Sequence, residues 1–113
     1  MHYLIACFVS VASALTLQLP HTIIVDESGR EVWCGPPVFT TQVDLYEDGT
    51  ISGLIYQRSQ CSSGGRGTKP RYYSACAAAT WDSEGALVST DIIWTSPTQK
   101  PGVPARPVGD CIS

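Results

Sequence analysis

Three short acidic segments that contain glycine constrain the fold of this 113-residue chain more than any other feature. They are residues 26–29 (DESG), 47–50 (EDGT) and 82–85 (DSEG), and each lies between stretches rich in Val, Ile, Thr, Tyr or Trp. Such stretches are typical of β-strands, and glycine is favoured wherever a turn needs a positive φ. The pattern predicts three β-hairpins, with a two-residue type I′ turn at Asp48-Gly49 and bulged type I turns at the other two sites.

The hairpins predict an all-β fold with six strands, near residues 22–26, 30–34, 38–46, 50–58, 72–81 and 86–95. Since antiparallel strands of this kind must bury one face, we expect a small six-stranded antiparallel sandwich or barrel. The fifth strand has an alternative, because the alanine-rich run 75–79 favours a helix and Ser74 could cap it. The neighbouring aromatic residues favour the strand.

The predicted type I′ turn sets the register of the central hairpin. With Asp48-Gly49 at the tip, Val43 lies opposite Leu54. Because side chains alternate across a strand, the buried face is then expected to comprise Phe39, Val43, Leu45, Leu54 and Tyr56. Gln57 falls on the other, partly covered face.

The N-terminal residues 1–14 are predicted to be a signal peptide. Residues 3–14 form an apolar run without charge that is too short to span a membrane and ends in Ala12-Ser13-Ala14, the small residues that signal peptidase recognises. The alternative is a buried N-terminal helix or strand. Cleavage after Ala14 leaves one secreted, extracellular domain over residues 15–113, and we expect no membrane span in it.

Cleavage would also remove Cys7 and leave an even number of cysteines: Cys34, Cys61, Cys76 and Cys111. An even count in a small secreted domain indicates disulfides, here two of them. Three pairings are possible, and we favour Cys61–Cys76 with Cys34–Cys111. No C-x-x-C pair is present, so neither a zinc site nor a redox motif is expected.

Positive charge is concentrated between residues 58 and 71, although the net charge of the chain is −3. The net charge disfavours general nucleic-acid binding. Between Asp48 and Asp82 there is no acidic residue, whereas four of the seven basic residues lie there: Arg58, Arg66, Lys69 and Arg71. These four, with the adjacent Tyr72, are the predicted partner-binding residues. The alternative is a plain connecting loop, and the order of residues 67–70 (GTKP) does not match a phosphate-binding loop.

The chain offers few groups for catalysis, so we expect a protein that is not an enzyme and needs no metal or cofactor. His21 is the one histidine left after cleavage, and the acidic residues cluster at predicted turns. The C-terminal residues 96–113 contain four prolines and are predicted to form an extended tail held back by Cys111. Its two P-x-x-P patterns could alternatively dock in an SH3-type groove.

A signal peptide, a mature chain near 100 residues, few cysteines and β-hairpins together resemble the small β-sandwich effectors of plant-pathogenic fungi. The resemblance implies a six-stranded, disulfide-linked, non-enzymatic protein that binds a host protein, and we expect a monomer. The alternative function is an inhibitor or toxin that acts on an extracellular hydrolase or on a competitor's cell surface. A carbohydrate-binding module would need an exposed row of tryptophans.

Overall fold

The computed structural model describes residues 15–26, 28–32, 35–61, 69–96 and 100–113. They contain one antiparallel sheet whose strands pair in chain order: β1 (Val38–Leu45), β2 (Ile51–Cys61), β3 (Arg71–Trp81) and β4 (Leu87–Ser96). In these residues the structure has no α-helix, only a short 3₁₀ helix, Val108–Asp110. The all-β prediction is therefore confirmed, and the alanine-rich run is a strand that pairs on both sides.

The first two predicted strands contribute one isolated bridge, between Val25 and Glu31, rather than a second sheet. Beside this bridge the Val32 N–H donates to the Ile24 carbonyl at 2.9 Å. Six strands and a sandwich or barrel are thus not confirmed in the described part of the chain. The tail is also not extended throughout, because the 3₁₀ helix interrupts it.

All three acidic segments form the same bulged turn. Gly29, Gly49 and Gly85 have φ values of 86°, 90° and 89°. Each donates its N–H, at 3.0 Å, to the carbonyl three residues earlier. The predicted type I′ turn at residues 47–50 is wrong, because Asp48 would need a positive φ and the described residues show that conformation only at glycine. At the other two segments the positive φ of Gly29 and Gly85 and the hydrogen bonds of these glycines agree with the predicted bulged turns.

The different turn shifts the register of the central hairpin by one residue. Val43 lies opposite Gly53 rather than Leu54. Since a one-residue shift exchanges the two faces of a strand, β2 buries Ile55 and Gln57 on the core side and directs Tyr56 to the other side. The predicted buried face is therefore wrong for β2, and in β1 Val43 and Leu45, which were expected to be buried, are 38% and 72% exposed.

The core lies between one face of the sheet and the segment that precedes β1. We call this side the core face. Ile24 and Trp81 are fully buried there, and the core cluster is completed by Ile23, Ile51, Ile55, Ala75, Ala77 and Ala79. The small alanines of β3 let the preceding segment approach the sheet closely. Gln18 fixes the start of that segment, because its carbonyl accepts a hydrogen bond from the Trp81 indole at 2.7 Å.

A buried glutamine joins the same segment to the middle of the sheet. Gln57 is 1% exposed, and its side-chain oxygen accepts the Ile23 N–H at 2.5 Å. Its amide nitrogen donates to the hydroxyls of Thr22 at 3.0 Å and Ser59 at 3.2 Å. Because buried polar groups are costly without partners, this network fixes which residues of the segment meet the sheet.

The disulfide pairing differs from the prediction. Cys76 in β3 is bonded to Cys111 in the tail, so both Cys61–Cys76 and Cys34–Cys111 are wrong. Register explains the choice: the side chain of Cys76 points to the face opposite the core, where the tail crosses the sheet. Cys61 is also disulfide-bonded. Cys34 lies outside the described residues, as do the predicted signal peptide and Arg66.

Candidate functional site

The C-terminal tail packs against the second face of the sheet, which we call the tail face. The Cys76–Cys111 disulfide holds one end of it. Tyr56 donates its hydroxyl to the Arg106 carbonyl at 2.6 Å and thereby holds the middle. Burial raises the pKa of the Tyr56 hydroxyl, so the group remains a hydrogen-bond donor well above neutral pH.

Arg106 makes one contact with β4 and one within the tail. Its guanidinium carbon lies 4.2 Å from the centroid of the Trp94 ring, and its Nε lies 3.1 Å from the Asp110 carboxylate. The Trp94 ring in turn meets Tyr56 edge to face, with centroids 6.2 Å apart. Cation–π contacts and ion pairs at partly exposed sites are each modest in energy, but together with the disulfide they give the tail one defined path.

That path leaves a cleft of about 1060 Å³ between the tail and the sheet. The floor is formed by Val38 and Thr40 of β1, by Tyr56, Arg58, Ser59 and Gln60 of β2, and by Tyr72 of β3. The walls are formed by Pro36 and by the tail residues Gly102, Pro104, Ala105, Pro107 and Val108. The volume lies slightly above the usual range for ligand pockets, about 300–1,000 Å³.

The strand positions explain why these residues meet. Arg58 pairs with Val38 on one side and with Ser74 on the other, so it lies in the middle of the tail face. Tyr72 pairs with Gln60, one pleat further along the same face. Proline at 104 and 107 keeps the facing tail out of the sheet, since proline cannot donate to a β-ladder.

The cleft is positively charged. Arg58 is exposed and no aspartate or glutamate is found among the lining residues that the structure describes. Within that part of the chain, the ion pairs join His21 to Glu31 and Arg106 to Asp110, so Arg58 is not neutralised by either. Two guanidinium groups therefore lie on the tail face, of which Arg106 is engaged and Arg58 is available to a ligand.

The structure brings together some of the predicted partner-binding residues and separates others. Arg58 and Tyr72 both line the cleft. Lys69 lies beside it, since a Cβ added at Gly102 would come within 2.8 Å of the Lys69 side chain. Arg71 is exposed but belongs to the opposite face, because neighbouring residues of a strand alternate.

The sequence reasoning missed the contributions of β1 and of the tail. Pro36, Val38 and Thr40 recur at every second position, which is the signal of one strand face. The prolines of the tail were predicted to cover the sheet, but nothing in the sequence showed which face they would cover. The pairing of Cys111 with Cys76 decides that face.

No group of three or more histidine, cysteine, aspartate or glutamate side chains in the described segments is placed to hold a metal ion. The same segments contain no helix that is long and apolar enough to cross a membrane.

Together the fold and cleft define a small, disulfide-bonded all-β protein with a basic cleft under its C-terminal tail. Neither the protein-family models, nor the curated proteins, nor the solved structures include a match to this chain.

Proposed function

We propose that this protein is a secreted, non-enzymatic binding protein, a candidate fungal virulence effector that engages a host protein through the cleft under its tail. The single observation that carries the proposal is the exposed Arg58 in a cleft whose described lining contains no acidic residue, on a chain whose net charge is −3. Positive charge focused in a cleft steers acidic partners to it, even when the rest of the molecule is negative.

Three further features support binding rather than a purely structural cleft. Tyrosine, present here as Tyr72, combines a large contact area with a polar end and is common at protein interfaces. Lys69 adds a second cation beside the cleft. The tail wall is held by a disulfide and by the hydrogen bond from Tyr56, so little order has to be gained on binding.

Secretion is part of the proposal. We propose that the chain is cleaved after Ala14 and acts outside the producing cell as a monomer. N-terminal sequencing of the secreted material should begin at Leu15. A protein that stays inside the cell and retains Met1 would contradict this part.

The test of function is capture of a partner from host extract by the mature protein and by charge variants. Arg58→Glu should remove most of the captured partner, and the loss should be greater at low than at high salt, since exposed charges are screened. Arg71→Glu is the matched control, because it makes the same charge change on the opposite face. Equal loss in both variants, or none in either, would show that the cleft is not the contact surface.

The captured partner also separates the proposal from the inhibitor alternative. If it is an extracellular hydrolase whose activity falls on binding, the protein is an inhibitor rather than an effector.

A further inference from the structure

Strand β1 forms one edge of the sheet, and of the features by which proteins block such edges it carries one charged residue, Asp44, near its end. Seven of its eight residues are exposed, and Val38 is 57% exposed. Its pairing with β2 runs without a register shift, and it contains neither proline nor lysine. A regular edge of this kind presents a row of unpaired N–H and C=O groups, to which another strand can bind.

The opposite edge is different. The pairing of β3 with β4 has register shifts at two places, Cys76/Ala77 and Thr80/Trp81. Bulges twist an edge and interrupt its hydrogen-bonding groups, which hinders the addition of a further strand. Of the two edges, only β1 is suitable for strand addition.

The hydrogen bonds of the central hairpin show which groups of β1 are free. Tyr46 donates its N–H to Thr50 across the sheet, so this pair is hydrogen-bonded. Hydrogen-bonded and non-hydrogen-bonded pairs alternate in an antiparallel ladder. Counting back along the register, the outward N–H and C=O groups belong to Phe39, Thr41, Val43 and Leu45.

This edge borders the cleft. Val38 and Thr40 line the cleft with their side chains, while the intervening Phe39 and the next residue, Thr41, direct their backbone groups outwards. A strand added to β1 would therefore direct every second side chain towards the cleft. Arg58 lies on that same side, in the neighbouring strand β2, opposite Val38 of β1. Charge complementarity specifies an acidic residue beside Val38 and Thr40, because Arg58 and Lys69 border a site whose described lining has no carboxylate. The Asp44 carboxylate lies on the same side at the other end of β1 and favours no acidic residue there.

We propose that an extended segment of the partner with acidic side chains at alternate positions adds to β1 as a fifth strand and places a carboxylate against Arg58. This deepens the proposed function and rests on it, since it names the chemistry of the partner and its mode of binding. Backbone hydrogen bonds would give affinity, as in other cases of strand addition, and the Arg58–carboxylate pair would give selectivity.

A short synthetic peptide tests the inference directly. The probe is a fluorescein-labelled peptide of eight residues, the length of β1, with alternating glutamate and valine. The matched probe has glutamine in place of every glutamate. In fluorescence anisotropy the glutamate peptide should bind roughly tenfold more tightly than the glutamine peptide, because only a carboxylate can form an ion pair with the Arg58 guanidinium.

Protein variants separate the edge from the charge. Thr41→Pro removes one outward N–H of β1 and should lower the affinity for the glutamate peptide roughly tenfold. Proline is tolerated in an edge strand, but it cannot donate a hydrogen bond to an added strand. Thr41→Val is its control and should bind like the wild type. Arg58→Glu should lower the affinity for the glutamate peptide and leave the affinity for the glutamine peptide unchanged. Circular dichroism and an intact Cys76–Cys111 bridge confirm that each variant is folded.

Several outcomes would overturn the inference. Equal affinity for the two peptides would show that the carboxylate does not contribute to binding. If Thr41→Pro binds the glutamate peptide as tightly as the wild type, the peptide does not add to β1 as a strand. Binding of polygalacturonate with no binding of either peptide would assign the cleft to an anionic polysaccharide. A dimer in sedimentation that Thr41→Pro dissociates would show that a second copy occupies β1.

The failures of the two proposals are distinguishable. Capture of a host protein that depends on Arg58, together with no binding of the peptide, would contradict strand addition and leave the proposed function standing. If the protein neither captures a host protein in an Arg58-dependent way nor binds the peptide, the proposed function is contradicted as well.

Discussion

Replacing Gln57 by leucine probes how the segment before β1 is held on the sheet. The two side chains are similar in size, so the change removes polar contacts without leaving a large cavity. Leucine would remove the acceptor of the Ile23 N–H and the hydrogen-bond partner of the Thr22 and Ser59 hydroxyls. Ile23 is 3% exposed, so water cannot replace the missing acceptor without local opening.

The magnitude follows from the groups left without a partner. A buried N–H that loses its acceptor costs about 1–3 kcal/mol. The Thr22 hydroxyl still accepts the Ile24 N–H at 3.2 Å, so it loses only part of its hydrogen bonding. The leucine side chain adds some apolar burial, which offsets part of the cost. We therefore expect a decrease of about 2 kcal/mol in the free energy of unfolding, or roughly 8–16 °C in Tm for a domain of this size.

Urea unfolding followed by tryptophan fluorescence measures the change. Gln60→Leu is the matched control, because Gln60 is exposed on the same strand and surface changes stay within about 0.5 kcal/mol. A double-mutant cycle with Thr22→Val should show a coupling of about 0.5–3 kcal/mol, as contacting residues do. If Gln57→Leu costs less than about 0.5 kcal/mol, the buried network does not fix the segment and the reasoning is refuted.

Three further changes test the tail and the turns. Replacing both Cys76 and Cys111 by alanine should lower the free energy of unfolding by about 3–4 kcal/mol, because the bridge closes a sequence separation of 35, and an unchanged urea midpoint would contradict this. Arg106→Ala should cost about 0.5–2 kcal/mol and change the fluorescence of Trp94, whose ring it covers; an unchanged spectrum would contradict the stacking. Hydrogen bonds lower the pKa of Asp26, chiefly from the Ser28 hydroxyl, and of Asp48, chiefly from the Thr50 hydroxyl, below 3.8. Their contribution to stability should be present above pH 3.8 and be lost as the pH falls through the folded-state pKa, so unfolding measured with acid should show a weaker pH dependence when both are replaced by alanine.

The hairpins could be predicted from the sequence because their signal is local. An acidic residue followed by glycine between β-branched stretches specifies a turn within four or five residues, and the structure forms a turn at each of the three segments. The register of the central hairpin was harder to predict from the sequence. Asp48-Gly49 fits both a type I′ turn and the second half of a bulged turn, and one residue of difference reverses the faces of β2.

Long-range features could not be read from the sequence in the same way. Gln57 was predicted to lie on the partly covered face, and only the approach of Ile23, 34 residues away, explains its burial. The pairing of Cys76 with Cys111 depends on which face the tail covers. Of the candidate site, Arg58 and Tyr72 could be predicted from charge and composition, whereas the edge of β1 and the tail wall depend on the tertiary arrangement.

Backbone NMR of the ¹⁵N-labelled mature protein, titrated with the alternating glutamate–valine peptide, tests the account most directly. We expect the largest shifts at the amides of Phe39, Thr41 and Val43, whose N–H groups point away from β2, and at the Arg58 side chain. Ala75, Ala77 and Ala79 of the core and the residues of β4 should shift little. Shifts confined to β4 or to the segment before β1, with none at the β1 edge or at Arg58, would contradict the claim that this cleft and its edge form the binding surface.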